Sequence, residues 1–225
     1  MAKGKMDDMV EGGASAETEA EVVETGLSLY DTEPQFSQED VFLNKLRLAQ
    51  GLTKEVQDGT ARPGQYLVTG FAPEESVTVV PVGVAKMREY RNPDDGREMF
   101  CFSKDALTGD GDPGGACADC PFNKWTPNPD KPGKNKPPIC KFSYGYLFYS
   151  EQHDAIVAFR FKGMALNAGK GINTIVNHHG LRKVAITLGS EQKSGPNGSY
   201  YVPTTTVVPE PDPELLAAAV TATSV

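Results

Sequence analysis

Histidine, tryptophan and cysteine are scarce in this chain: three, one and four residues in 225. No run approaches the ~18 apolar residues that a membrane-spanning helix needs, so no membrane role is expected. The start, Met1-Ala2-Lys3-Gly4-Lys5-Met6-Asp7-Asp8, lacks the apolar segment of a secretory leader. That points to a cytoplasmic setting, where disulfides are disfavoured. Three histidines (His153, His178 and His179) allow no specific Ser-His-Asp or Cys-His set, and no paired carboxylates stand out. None of them opens the H-x-E of a zinc deaminase, and Cys117 follows Ala116 rather than the proline of P-C-x-x-C. Gly109–Gly114 spells G-x-G-x-x-G, but between no strand and helix, so no dinucleotide site follows. The chain is not expected to be an enzyme.

Charge is unevenly spread. Residues 1–40 hold 11 acids against 2 bases, whereas 121–183 hold ten bases against three acids. Residues 209–225 carry Glu210, Asp212 and Glu214 and no base. An acidic protein with a basic body suits a polyanion partner, the acidic arms competing for it or recruiting proteins. Charged solvated tails on a neutral core are the plainer alternative. With few aromatics and little apolar material, 1–38 reads as a disordered acidic arm and 209–225 as a disordered acidic tail. Leu215–Val220 is compatible with a nascent helix.

All four cysteines lie in one stretch, Cys101 to Cys140, with Cys117 and Cys120 forming a C-x-x-C knuckle. Cys101 and Cys140 end apolar, aromatic runs. The sequence between is rich in glycine, proline and lysine and too polar to bury a core. A structural Zn2+ would cross-link it: thiolates bind zinc at about 2.3 Å, and four of them close the tetrahedral shell. Disulfides and unlinked thiols are the alternatives.

The remaining 39–208 reads as one domain with 101–140 inserted in it. Val41–Gln50 fits either a short helix or a strand. Tyr66–Phe71 is a strand, and Ser76–Tyr90 is a longer one in which Pro81 and Gly83 signal a bend or bulge. Asn92–Gly96 turns it back into Glu98–Phe102. Phe142–Tyr149 and Ala155–Phe161 are antiparallel neighbours. Met164, Ala168, Ile172, Ile175 and Val176 share a helical face that Gly180 stops. Lys183–Leu188 and Tyr200–Val207 close the series as a hairpin. A single helix between the third and fourth strands of a β series is the arrangement of the five-stranded OB-fold. The expected fold is therefore mainly β, an OB-like antiparallel barrel with one helix and an inserted four-cysteine zinc loop. An α+β fold with an antiparallel sheet is the alternative.

The strand Glu98–Phe102, the cysteine loop, the aromatic strand 142–149 and the acidic arm together resemble phage-encoded single-stranded DNA-binding proteins of the OB-fold type. They are similar in architecture to the T4-type helix-destabilising family, which has a zinc site beside its barrel and an acidic segment. The chain differs in its all-cysteine set and in placing the stronger acidic run at the N-terminus. The resemblance implies non-sequence-specific single-stranded DNA binding in phage replication or recombination, in the host cytoplasm. Replication or recombination proteins would be partners of the acidic arms.

Such binding also has a physical requirement: a cationic groove for phosphates and aromatic faces for base stacking. Phe142, Tyr144, Tyr146 and Phe148 alternate along one strand face, and Tyr144 and Tyr146 best suit a wet boundary. Lys141, Arg160, Lys162 and Lys170 lie near these elements. Lys124, Trp125, Lys134 and Lys136 suit a basic flap over a bound strand. The competing readings are an aromatic core stripe, a tryptophan packed on the knuckle and solubilising lysines. A zinc-stapled adaptor that binds a polymerase without DNA affinity is the rival function.

Overall fold

Two short strands, β1 (Asn44–Lys45) and β2 (Arg47–Leu48), open the described part of the chain. A computed structural model describes residues 43–94, 96–196 and 198–223. Extended backbone thus settles the ambiguity over 43–50, the part of 41–50 that is described, while the arm expected at 1–38 lies outside the described residues. A helical turn, α1 (Lys54–Gln57), leads to β3 (Tyr66–Leu67), which pairs with β2. Next come β4 (Val77–Arg91), β5 (Met99–Ser103), β6 (Thr108–Gly111) and β7 (Gly115–Ala116), stepping into the cysteine loop. Inside the loop, β8 (Thr126–Pro127) pairs with β9 (Asn135–Lys136). The chain returns as β10 (Lys141–Ser150) and β11 (Ala155–Lys162), continues into α2 (Leu166–His179), and ends with β12 (Ile186–Gly195), β13 (Gly198–Val207) and α3 (Pro213–Thr221).

The fold is mainly β, with a large antiparallel-dominated sheet and few helices. The spine is β4, which pairs antiparallel with β10, with β12 at its start and with β5 at its end. Its length lets one strand serve all three: β10 runs along one edge, and β12 and β5 take opposite ends of the other. A long strand, a hairpin, a helix and a returning hairpin follow the expected OB order. Among the described residues, however, the sheet does not close. The outer edge of β11 takes β1 in parallel register, and no ladder joins β11 to β13. The Gln50 side chain stands in for a strand on β13: its Nε2 donates to the Tyr201 carbonyl and its Oε1 accepts from the Tyr201 N–H, both at 2.9 Å.

The expected irregularity in β4 is present. Its register with β10 shifts between Leu147, opposite Gly83, and Phe148, opposite Pro81, so Val82 is the extra residue. Proline has no N–H to give the ladder, and glycine tolerates the bend. Upstream of the shift, ordinary alternation sends Val77 and Val79 into one core and Val80 and Val82 into another.

The first core holds Tyr146, Phe148, Val157, Phe159, Phe161, Ile172, Ile186 and Leu188. Tyr146 stacks on Phe148 at 5.2 Å between centroids and meets Phe161 edge-on at 5.8 Å. Helix α2 sits directly on this stripe, because a Cβ at Gly169 would lie only 3.0 Å from Phe161 and Tyr144 atoms. Glycine is what permits that approach. Gly180 ends the helix with φ +90°. Met164, read as part of the helical face, precedes the helix and is exposed.

The expectation of a disordered 209–225 tail is corrected over 213–221. Asp212 caps α3 by accepting from the Glu214 N–H, Pro213 fits the first turn, and Leu215 and Ala219 are buried with Val80, Val82, Tyr149 and Ala185. The acids that make the tail polar are the residues that start its helix. Among the described residues no helix is long and apolar enough to cross a membrane.

Candidate functional site

The three strands β4, β10 and β11 lie in register, so their residues form cross-strand rows. Tyr144, Tyr146 and Phe148 point toward α2. The alternate residues form three rows on the opposite face: Gly83, Leu147 and Ala158; Ala85, Gly145 and Arg160; Met87, Ser143 and Lys162. Eight of these nine, all but the buried Ser143, line an open groove of about 1070 Å³. The side chain of Met87 lies across Gly145, where a Cβ would meet its Cε at 2.2 Å. Further lining comes from the segment 43–50, from Met164 and Ala165 after β11, and from Tyr200–Pro203 of β13. The groove therefore runs along the seam where β11 and β13 fail to pair.

Its surface is apolar between basic margins. Leu43, Val84, Leu147 and Met164 are all exposed there. Lys45, Arg47, Arg160 and Lys162 supply cations; Arg47 also pairs with Glu55 at 2.5 Å. Tyr201 rests on Gly64, where a Cβ would lie 2.5 Å from its ring. Any side chain at Gly64, whose φ is +91°, would displace that tyrosine. Exposed large apolar groups gathered in one groove mark an interaction site.

The structure divides the sequence-derived site residues. Tyr146 is buried at 1 % exposure, and its hydroxyl donates to Asn173 of α2. Burial pushes its phenol up to about 12. It is a core residue, and Tyr144 packs half-buried against the same core. The aromatic stripe faces the helix, and Tyr146, although it borders the groove, is too buried to offer the base platform expected of it. Arg160 and Lys162 do line the groove, but both pair with buried Glu89. Lys170 is exposed on α2, away from the groove lining. Lys124, Lys134 and Lys136 are exposed in the cysteine loop, Lys136 facing Asp130 at 3.5 Å. Exposed Lys141 donates to the Pro138 carbonyl. Trp125 is 64 % exposed. Sequence reasoning missed Lys45, Arg47, Tyr200 and Tyr201, whose only local signals are alternating cations in an extended segment and a paired tyrosine in a strand.

Cys101, Cys117, Cys120 and Cys140 all line one small cavity, together with Arg88, Tyr90 and Asn123. Their backbones are fixed from several directions. Cys101 pairs opposite Gly111, the Cys117 N–H donates to Leu107, and the Cys140 N–H donates to Phe122. Asn123 donates to the Cys117 carbonyl at 2.7 Å and accepts from Arg88. Tyr90 stacks on Phe122 at 4.3 Å. A Cβ at Gly109 would sit 2.7 Å from the Cys101 Sγ. Burial pushes the Cys140 thiol up, opposed by the nearby Arg88 guanidinium. None of the four is in a disulfide. Among the described residues no three His, Cys, Asp or Glu side chains stand at the spacing of a metal shell. The thiols thus share a cavity without closing on one point. No family model, curated protein or solved structure matches this chain.

Proposed function

We propose that this chain is a non-sequence-specific single-stranded DNA-binding protein, of phage origin and active in the host cytoplasm during DNA replication or recombination. The observation that carries the reading is the seam groove: an apolar floor long enough to cross three strands, bordered by Lys45, Arg47, Arg160 and Lys162. Bases have apolar faces and phosphates are anions, so a single strand needs both surfaces side by side. Tyr200 and Tyr201 take the stacking role first expected of Tyr144 and Tyr146. The exposed Lys124 and Trp125 are a second contact, on the cysteine loop. The acidic arms compete for the basic surface or recruit replication or recombination proteins.

The cysteine loop would be held by one structural Zn2+ on Cys101, Cys117, Cys120 and Cys140. Four free thiols facing one cavity support this, and so does Arg88: four thiolates around Zn2+ carry a net negative charge that its guanidinium offsets. Bound zinc would supply rigidity and no reaction chemistry.

Titrating Trp125 and tyrosine fluorescence with oligo(dT) across a salt series tests the binding claim, which expects quenching that weakens steeply with salt. A second reading rests on the same exposed Leu43, Val84, Leu147 and Met164. Those residues also suit an amphipathic peptide of a polymerase, which would make the chain a zinc-stapled adaptor. Peptide binding without oligonucleotide binding would select it.

A further inference from the structure

Burying a carboxylate is costly unless cations surround it, and Glu89 is 4 % exposed. Its Oε2 accepts from Arg160 Nη1 at 2.8 Å and from Arg91 Nη2 at 3.3 Å. Lys162 Nζ stands 4.0 Å from its Oε1. Three cations thus share one anion, and the cluster retains positive charge. Arg160 is held at a second point, its Nε donating to the Oγ of buried Ser143 at 2.8 Å. Two fixed edges orient the guanidinium plane. Its third edge, Nη2, is a buried donor with no hydrogen-bond partner among the described residues. Lys162, 64 % exposed at its side chain, reaches the Glu89 carboxylate only at 4.0 Å, on a flexible four-carbon stem. Both residues line the groove, two positions apart on one face of β11.

We propose that Arg160 and Lys162 form a phosphodiester-anchoring subsite of the groove, and that Glu89 is its positioning residue. Glu89 does not touch the ligand. It aims Arg160 so that the exposed part of its side chain, 30 % accessible, meets a phosphate oxygen, while Lys162 leaves its distant carboxylate for the neighbouring phosphate. Arginine suits the fixed position because its planar fork presents paired donors, and lysine suits the mobile one as a point charge. This inference rests on the single-strand reading of the groove.

The test is Glu89→Gln in the full chain, titrated with oligo(dT) over a salt series. If Glu89 were merely a neutralising charge, its removal would add net positive charge, tighten binding and steepen the salt slope. As a positioning residue, its removal weakens binding about tenfold and flattens the slope by about 0.7, one phosphate contact, although no cation is lost. Ser143→Ala leaves every charge in place and releases the Nε edge of Arg160; it shifts affinity and slope in the same direction, less far. That variant also serves if Glu89→Gln fails to fold. Wild-type binding with Glu89→Gln or Ser143→Ala binding equally well or more tightly overturns the subsite alone. No binding by the wild type overturns the groove reading with it.

Discussion

Replacing Tyr146 separates the two roles that an alternating aromatic strand can have. The ring stacks on Phe148 and meets Phe161 edge-on, and the hydroxyl donates to Asn173. Each aromatic pair contributes roughly 0.5–1.5 kcal/mol beyond its buried area, and the hydrogen bond roughly 1 kcal/mol. Tyr146→Leu keeps much of the volume and loses all three contacts, so urea unfolding followed by circular dichroism should register a loss of about 2–4 kcal/mol. Tyr146→Phe loses the hydroxyl alone and should cost about 1 kcal/mol. Oligo(dT) affinity of the folded Leu variant should stay within about twofold of wild type. A stacking platform would behave in the opposite way, because each stacked base contributes about 1–3 kcal/mol, a fall of roughly 5- to 150-fold in affinity. The phenol supplies an independent readout. Its folded pKa of about 12 lies above the ordinary value near 10, because burial favours the neutral form. That stability is whole below pH 10 and is lost as pH rises from about 10 to 12. The Phe variant should lack this part of the alkaline slope. A Leu variant of unchanged stability whose affinity drops tenfold or more would refute the core assignment.

Two further outcomes follow from the packing around the spine strand. Titrating the native chain with a thiol reagent should release one zinc equivalent as Cys101, Cys117, Cys120 and Cys140 react; a folded chain that yields none retires the metal. Leu215→Ala should destabilise by about 2–4 kcal/mol in urea, because the side chain is buried against the Val80 and Val82 face; a loss below about 0.5 kcal/mol would mean that α3 does not dock.

What could be read in advance was whatever chemistry is local. Proline without an N–H and a neighbouring glycine marked the bulge in β4, and a 3.6-residue apolar period with a terminal glycine marked α2. Which face of β10 is wet was not local. Its alternation is equally compatible with either side, and the decision comes from Gly169, which lets α2 approach Tyr144 and Phe161 at van der Waals distance. The groove escaped for a similar reason. Its margins come from β1 and β13, more than 150 positions apart, brought together by the Gln50 clamp on Tyr201. The burial of Glu89 depends on Arg160, 71 positions later. The cysteine cavity was legible as a cluster, since all four thiols fall in one short polar stretch. The docking of α3 was hidden by its acidic, small-residue composition, which resembles a tail until Leu215 and Ala219 find an apolar face.

The most direct measurement is the salt dependence of oligo(dT) binding by the full chain, read by fluorescence. Four groove cations, Lys45, Arg47, Arg160 and Lys162, each meeting one phosphate, predict a slope of log K against log salt of about −3, since each contact on a single strand contributes about −0.7. Contacts from the cysteine loop would make it steeper. Absence of quenching at low salt, with or without residues 1–40, or an affinity indifferent to salt, would contradict the account.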